Sequence, residues 1–185
     1  YLLVHREETD GLYRDLLIGV TEFMRDPTAF QELAEQVIRP TFSGDNPPSD
    51  YRIWVAGCAS GEEAYSLAIV TDEIARESNF TGSISIFATD IHKNSIQHSG
   101  NGIYTSDEVA NLSPERLTRY FKVTEEGEFQ IRSEIRQRVV FAQHNLLVDP
   151  PFTKMDLVTC RNVLIYFKPE AQESVIRSLH YALKM

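Results

Sequence analysis

The chain has 185 residues, of which 42% are apolar and 24% are charged, as is usual for one globular domain with a buried core. Its formal net charge is −9, so no basic field draws it to the phosphates of nucleic acid. No apolar stretch approaches the roughly 20 residues that span a bilayer, and no basic segment precedes an apolar one as it does in a secretion signal. We therefore expect a soluble cytoplasmic protein that binds neither nucleic acid nor a membrane.

Only two cysteines, Cys58 and Cys160, occur in the chain. They lie far apart, without a CxxC motif or a histidine at ligand spacing, which argues against a zinc site or a disulfide framework. This usage fits a reducing compartment. We therefore predict no metal centre.

The first 42 residues have the apolar spacing of helices. The stripes of two predicted helices are Leu12, Leu16 and Leu17, and then Phe30, Leu33, Ala34, Val37 and Ile38. The second helix should begin at Asp26-Pro27, with the aspartate side chain as its cap and the proline in its first turn. Residues 43–50 are rich in proline and turn-forming residues, which indicates a surface connection. We predict an N-terminal helical segment over 1–42 that gives access to a cofactor site.

A strand-helix-strand pattern follows the connection. The apolar run 53–56 ends at a glycine, helical spacing continues to Ala75, and a second buried strand over 84–88 leads into Thr89-Asp90. Such a unit predicts a parallel sheet with crossover helices, an α/β fold. Further strands are expected at 139–143 and 155–160. A final amphipathic helix should bury Ala171, Val175, Ile176, Leu179, Ala182 and Leu183 on one side.

The alternation breaks between residues 102 and 138. A short helix is expected near Pro114 to Phe121, and a β-hairpin around Glu126-Gly127. We interpret this stretch as a small inserted β-subdomain within an α/β domain over 51–185.

The segment where the first strand turns into the first helix carries the clearest chemical signal. Gly57 and Gly61 let a backbone pass close to a ligand, and ligands of open α/β sheets bind outside the carboxyl ends of the strands. No phosphate-binding fingerprint is present, and Glu62 and Glu63 would repel a pyrophosphate. Asp90, at the end of the second strand, can hold two ribose hydroxyls. Together these residues point to a nucleoside with positive charge, of which S-adenosylmethionine is the obvious member.

Polar residues also follow the later strands. Asn145-Leu146 follows the third strand of the sheet, Cys160-Arg161-Asn162 the fourth, and Tyr166 comes shortly after. Taken singly, each is more often a turn or surface residue, just as the glycines can form a plain turn and Asp90 a helix cap. All four strand ends should meet at one rim, which favours a shared site.

These residues resemble one known family in order across nearly the whole chain. The matching motifs are Thr21-Glu22-Phe23-Met24-Arg25-Asp26, Ala56 to Ser66, Ala88-Thr89-Asp90-Ile91, Gly102-Ile103-Tyr104, Asn145-Leu146-Leu147 and Cys160 to Phe167. They resemble the CheR-type chemotaxis receptor glutamate O-methyltransferases. The resemblance implies a Rossmann-like methyltransferase fold, S-adenosylmethionine as cofactor with S-adenosylhomocysteine as product, and the cytoplasmic region of a chemoreceptor or related signalling protein as partner.

The resemblance also assigns roles to residues. It implies cofactor binding by Thr21, Arg25, Gly57, Glu62, Asp90, Asn145, Leu146, Arg161 and Asn162, and catalytic roles for Arg25 and Tyr166. In this assignment Asp90 holds the ribose, Glu62 faces the methionyl portion, and 102–138 docks receptor segments. Gly19 stands where family members often have asparagine, and the family continues beyond both ends of this chain, so we expect the sequence to be part of a larger protein.

The implied chemistry needs no general base, because a glutamate of pKa about 4.3 is already ionised at neutral pH. It needs alignment and a cation on the carboxylate, which Arg25 or Arg161 can supply bidentately. Two alternatives stay open: a catalytically silent module that binds the cofactor or a receptor, and a methyltransferase for a small carboxylic acid. The insertion favours a protein substrate over a small acid.

Overall fold

The computed structural model describes residues 21–184. Strands lie at Asp50–Ala56 (β1), Ser83–Asp90 (β2), Ile103–Tyr104 (β3), Phe121–Val123 (β4), Phe129–Ile131 (β5), Val139–Gln143 (β6) and Leu157–Thr159 (β7). Helices lie at Pro27–Leu33 (α1), Arg39–Ser43 (α2), Glu62–Glu77 (α3), Lys93–Asn101 (α4), Pro114–Tyr120 (α5), Ser133–Arg136 (α6) and Pro169–Ala182 (α7). A π-helical turn at Ala34–Ile38 joins α1 to α2, and a 3-10 turn at Leu164–Tyr166 precedes α7.

Four strands form a parallel sheet in the order β6-β2-β1-β7. Because all four run in the same direction, their carboxyl ends lie along one edge, which we call the rim. The loops 57–61, 91–92, 144–149 and 160–163 leave the sheet there. The predicted α/β fold with a parallel sheet is confirmed, and the predicted strand ends do share one edge.

The central strand β1 is buried on both faces, since α3 and the N-terminal helices cover one and α7 covers the other. Ile53 and Val55 point into the larger apolar cluster, whereas Trp54 and Ala56 point into a smaller cluster on the opposite face. Side chains alternate in this way along any strand. Burial on both faces explains why the sequence of β1 is a continuous apolar run.

A second, antiparallel sheet lies within the inserted stretch, in the order β3-β5-β4. The predicted hairpin is formed by β4 and β5, and Gly127 takes a positive φ of 84° in the turn between them. Strand β3, which the sequence pattern did not reveal because it has only two residues, pairs with β5. The short helix α5 lies within one residue of its predicted bounds.

Two boundaries in the C-terminal part differ from the prediction. Strand β7 covers Leu157–Thr159 instead of 155–160. It begins later than predicted because Met155 pairs with Leu183, which follows α7, and the Asp156 carboxylate accepts from the Arg52 backbone N–H. The apolar stripe of α7 is narrower than expected. Ile176 is 52% exposed, since it lies to one side of the line that faces the sheet.

The predicted aspartate cap of α1 is wrong, although the helix does begin at Pro27. Asp26 has a left-handed backbone with φ of 58° and makes no side-chain capping bond. Its carboxylate instead accepts from the Arg161 guanidinium at 2.5 Å, and a charged partner makes the stronger bond. The helix predicted around Leu12 lies outside the described residues. Between residues 21 and 184, no helix has the length and apolar character needed to cross a membrane.

Candidate functional site

The loop after β1 forms the centre of the rim. The backbone N–H groups of Gly57 and Cys58 both donate to the Thr89 carbonyl, at 2.7 and 2.9 Å. Gly57 has a φ of 82°, and a Cβ added to it would lie 2.2 Å from a methyl carbon of Val163. Only glycine allows this backbone to cross so close to the loop after β7.

The far side of the same loop is held by the insertion and by α4. Ser99 donates to the Ala59 carbonyl at 3.2 Å, and the buried Tyr104 hydroxyl donates to the Ser60 carbonyl at 2.9 Å. Gly61 has a φ of 99° and packs against Ser99 and Tyr104. The loop 57–61 is therefore fixed from two directions before any ligand arrives.

Asp90 ends β2 and ties two loops of the rim together. One carboxylate oxygen accepts from the Ala59 N–H and the other from the His92 N–H, both at 2.9 Å. Each carboxylate oxygen can accept a further bond, and the side chain is half-buried. Asp90 therefore positions the rim and keeps acceptor capacity for hydroxyl groups.

Glu62 begins α3 and is only 2% exposed. Both of its carboxylate oxygens accept from the Ser60 hydroxyl, at 2.9 and 2.8 Å. Burial raises the pKa of Glu62, and the Ser60 bond partly opposes that rise. A buried carboxylate with no cation among its hydrogen-bond partners in the described chain is a suitable site for a cationic group.

Glu63 was noted in the sequence as part of the acidic pair but was not placed in the candidate site. Its carboxylate accepts from the Thr159 hydroxyl at 2.7 Å and lies 3.9 Å from the Arg161 guanidinium. Burial raises its pKa, while Thr159, Arg161 and Arg25 oppose the rise. Its position two residues after Gly61 was the available signal, because the first turn of α3 begins at the rim.

Arg161 connects the loop after β7 to the segment 21–26. One terminal nitrogen donates to the Arg25 carbonyl at 2.8 Å and to the Asp26 carboxylate at 2.5 Å. The guanidinium lies 5.3 Å from the centre of the Phe30 ring, a cation–π distance. Arg161 is therefore already engaged in holding the backbone that carries Arg25.

Apolar contacts anchor the segment 21–26 over α3. Phe23 is fully buried and meets Tyr104 and Phe121 edge to face, with ring centres 4.9 and 5.6 Å apart. The Met24 N–H donates to the Ser66 hydroxyl at 2.9 Å. These contacts leave Thr21 and Arg25 half-buried at the two ends of the anchored residues.

The turn after β6 is held mainly by its own residues. The Asn145 side chain accepts from the Leu147 N–H at 3.0 Å, and the Asn145 N–H donates to the Asp149 carboxylate at 2.8 Å. Leu146 packs against the cluster around Trp54. Among the described residues, the hydrogen bonds of Asn145 thus run within its own turn and reach no other candidate residue.

Asn162 and Tyr166 lie beyond β7. Asn162 is exposed, with a left-handed φ of 57°, and Tyr166 is 48% exposed at the end of the 3-10 turn. Both follow the strand whose end carries Arg161. Arg161 is joined directly to the Arg25 backbone. The ends of the strands, the loops after them and the start of α3 carry Gly57, Glu62, Asp90, Asn145, Leu146, Arg161 and Asn162.

The charges of the rim suit a ligand with both cationic and hydroxyl groups. Carboxylates of Glu62, Glu63 and Asp90 lie within the first turn of α3 and the end of β2, and such a group of negative charges favours a sulfonium or an ammonium ion. S-adenosylmethionine carries both and a ribose besides, so the residues present fit it. Within the described range, no three His, Cys, Asp or Glu side chains are grouped as metal ligands.

Comparisons with known proteins agree with this chemistry. Residues 19–185 match the family described as "CheR methyltransferase, SAM binding domain". The chain is 49% identical over 184 residues to an uncharacterized 104.1 kDa protein of Rhodobacter capsulatus, covering 99% of the chain and 19% of that protein. It is 34% identical over 192 residues to chemotaxis protein methyltransferase 1 of Pseudomonas aeruginosa, covering 98% and 70%.

One solved structure and one further relative complete the comparison. The crystal structure of the [4+2]-cyclase SpnF matches with a TM-score of 0.50 and 15% identity, over 90% of this chain and 44% of that one, which supports the fold alone. The Escherichia coli chemotaxis protein methyltransferase is 32% identical over 188 residues, covering 97% and 62%. The chain thus spans between a fifth and seven tenths of the relatives named here.

Proposed function

Because this chain belongs to the CheR methyltransferase family, we propose that it esterifies glutamate side chains on the cytoplasmic region of a chemoreceptor or related signalling protein, with S-adenosylmethionine as methyl donor. The observation that carries the proposal is the family match over 19–185, joined to a rim where the buried carboxylate of Glu62 and the half-buried ones of Glu63 and Asp90 suit a cationic cofactor. A cytoplasmic location follows from that choice of substrate.

The residues of the rim divide the binding of the cofactor among them. Asp90 accepts from the ribose hydroxyls with the capacity that its two backbone bonds leave. Glu62 takes the ammonium group of the methionyl portion, which replaces the water that a buried carboxylate has lost. Asn145 and Leu146 lie beside the adenine, and Gly57 gives the ligand close access to the backbone. The remaining lining of the cofactor site is formed by Thr21, Arg161 and Asn162.

When bound, S-adenosylmethionine supplies an electrophilic methyl group. The acceptor glutamate is ionised at neutral pH and needs no proton removed. The task of the protein is to hold that carboxylate in line and to keep water away, and alignment alone contributes several kcal/mol, roughly 7 or more in favourable cases. Arg25 matches a carboxylate with its planar fork, and Tyr166 donates one further hydrogen bond.

Arg161 and Glu63 act on this chemistry through Arg25. The 2.8 Å bond from Arg161 to the Arg25 carbonyl fixes the backbone that carries the Arg25 side chain. Glu63, held by Thr159, faces Arg161 from the other side at 3.9 Å. The two form a brace between the loop after β7 and the segment 21–26.

The proposal is tested by incubating the protein with tritiated S-adenosylmethionine and receptor-containing membranes, and by counting base-labile methyl groups. We expect base-labile label on the receptor, and at least about tenfold less of it with the Asp90→Ala variant when the cofactor is subsaturating. Asp156→Ala is the matched control, because Asp156 also accepts from a backbone N–H, that of Arg52, but lies before β7 and away from the rim.

The other outcomes separate the alternatives. Cofactor binding without any label on protein would identify a silent module and contradict the proposal. Label recovered on a small carboxylic acid but not on the receptor would identify a different methyltransferase. Equal labelling by the Asp90→Ala and Asp156→Ala variants would remove the cofactor site from the rim.

A further inference from the structure

A surface cavity of about 300 Å³ lies between the C-terminal end of α3 and the inserted stretch. Its walls include Arg76, Arg119 and Arg132, and we call it the arginine cavity. Arg76 and Glu62 lie near opposite ends of α3, about 20 Å apart at 1.5 Å per residue. The arginine cavity is therefore separate from the rim, and the proposed methyl transfer does not use it.

The charge of the arginine cavity is opposite to that of the chain. Glu134 is the one carboxylate residue among its lining residues, so the walls carry two more positive than negative charges, in a chain of net charge −9. Arg119 lies over the Tyr120 ring at 5.7 Å, and Arg132 donates to the Thr118 carbonyl at 3.3 Å. In the described part of the chain neither forms an ion pair.

A buried carboxylate holds the third arginine in place. Asp72 is 2% exposed and accepts from Arg76 at 2.7 Å, from Arg138 at 2.8 Å and from the Tyr120 hydroxyl at 3.1 Å. One negative charge thus serves two guanidinium groups. A terminal nitrogen of Arg138 is buried without a hydrogen-bond partner among the described residues. The network behind the cavity adds one positive charge, Arg138, and one negative charge, Asp72, so the excess of two positive charges is kept.

The floor of the arginine cavity is formed by buried side chains. Tyr120 is 2% exposed and Ile135 is 3% exposed, so both belong to the packed core beneath the insertion. Arg76 and Arg132 each have a bond that limits the freedom of the guanidinium, to the Asp72 carboxylate and to the Thr118 carbonyl, which lowers the ordering cost of binding.

We propose that the arginine cavity binds a phosphate group carried by a small molecule. A phosphate dianion matches the excess of two positive charges, whereas a single carboxylate leaves one charge unmatched. Its oxygens accept from several guanidinium forks at once. The volume lies at the small end of the range for ligand pockets, which suits a phosphate with a small attached group.

Calorimetric titration of the whole chain tests the proposal, with inorganic phosphate as the probe at about pH 8, where the dianion dominates. We expect saturable binding that weakens as chloride rises from about 50 to 200 mM. The double variant Arg119→Gln with Arg132→Gln should lose at least about tenfold in affinity, and Arg119→Gln alone about threefold. Arg177→Gln is the matched control, since Arg177 is 72% exposed on α7.

A parallel titration with tetraglutamate identifies the chemical class of the ligand. Tighter binding of tetraglutamate than of phosphate would overturn the proposal in favour of an acidic peptide. Heats that do not saturate would also overturn the proposal. The same result would follow if the double variant and Arg119→Gln bound phosphate with the affinity of the unchanged protein. The readout does not depend on methyl transfer, so the proposal can fail without the proposed function failing. Arg119 is exposed, so Arg119→Gln remains informative even if the double variant does not fold.

Discussion

The loop 57–61 and the segment 21–26 meet at the N-terminal end of α3, yet different forces hold them. The loop is held by backbone hydrogen bonds, by the Asp90 carboxylate and by glycine conformations. The segment is held by the charged contacts of Arg161 and by the buried Phe23 ring. Under the proposed function, the comparison teaches that the part of the site assigned to the constant cofactor is held by backbone, whereas the part assigned to the variable substrate is held by side chains.

The largest expected effect comes from breaking the loop. Gly57→Ala adds a Cβ 2.2 Å from Val163 at a φ of 82°, so the free energy of unfolding should fall by roughly 3 kcal/mol or more. Denaturant unfolding measures it. The control is Gly100→Ala, where no atom lies within 4 Å and alanine should stabilise the helix slightly. Similar stabilities for the two variants would contradict the strained-loop interpretation.

The second effect belongs to the segment and to turnover. Arg25→Ala should lower the single-turnover methylation rate about a hundredfold, as expected for loss of one aligned charged group, and Arg25→Lys should recover about tenfold because it keeps the charge without the fork. Affinity for S-adenosylhomocysteine should stay nearly constant. If the affinity and the rate fall together, Arg25 binds the cofactor, and another residue must orient the acceptor carboxylate.

Asp90 tests whether the loop serves the cofactor. Asp90→Ala removes the acceptor of the Ala59 and His92 N–H groups. The affinity for S-adenosylhomocysteine should fall by at least about tenfold, or about 1.4 kcal/mol. Calorimetric titration decides it. Unchanged affinity would leave Asp90 with a structural role only.

Arg161 separates positioning from stability. Asp26 is 65% exposed, so Arg161→Lys should cost less than about 1 kcal/mol of unfolding free energy. Turnover should still fall about tenfold, because a lysine cannot bond the Arg25 carbonyl and Asp26 with one fixed fork. Thermal unfolding and turnover are measured on the same sample. A loss of stability with full activity would exclude the brace.

The smallest effect is a change in pH dependence at Glu62. Burial raises its pKa above the unfolded value of about 4.3, so the folded state binds the proton more tightly. The contribution of Glu62 to stability is therefore greatest below about pH 4 and declines as pH rises through its raised pKa. Glu62→Gln should make the protein slightly more stable at neutral pH, with the difference vanishing toward pH 4, while cofactor affinity falls. Melting curves across that range check the sign.

The sequence predicted the sheet well, because periodic apolar runs and a proline-rich connection are local signals. The strands β2 and β6 and the helices α3 and α5 lie close to their predicted positions. Strand β3 has only two residues and left no such signal. The start of β7 was misplaced because Met155 pairs with Leu183 and the Asp156 carboxylate accepts from the Arg52 N–H. Both partners are distant in the chain, and no local pattern encodes such pairings.

The candidate site was predictable to the level of residues but not of contacts. Residue types at strand ends identified Asp90 and the glycines. The pairing of Arg161 with Asp26 was not visible in the sequence, since the two residues are separated by 135 positions. Because the Asp26 carboxylate bonds Arg161, it does not form the expected helix cap. Glu63 was overlooked for a similar reason, because its partners are Thr159 at the end of β7 and Arg161 in the loop that follows, about a hundred positions away.

The position of Trp54 has an optical consequence. It is the one tryptophan in the chain, is 1% exposed, and its indole N–H donates to the Thr89 hydroxyl at 2.9 Å. Thr89 also supplies the carbonyl that holds Gly57 and Cys58. The indole is therefore linked to the loop through Thr89, so loosening of the loop should shift the tryptophan emission before the sheet itself unfolds.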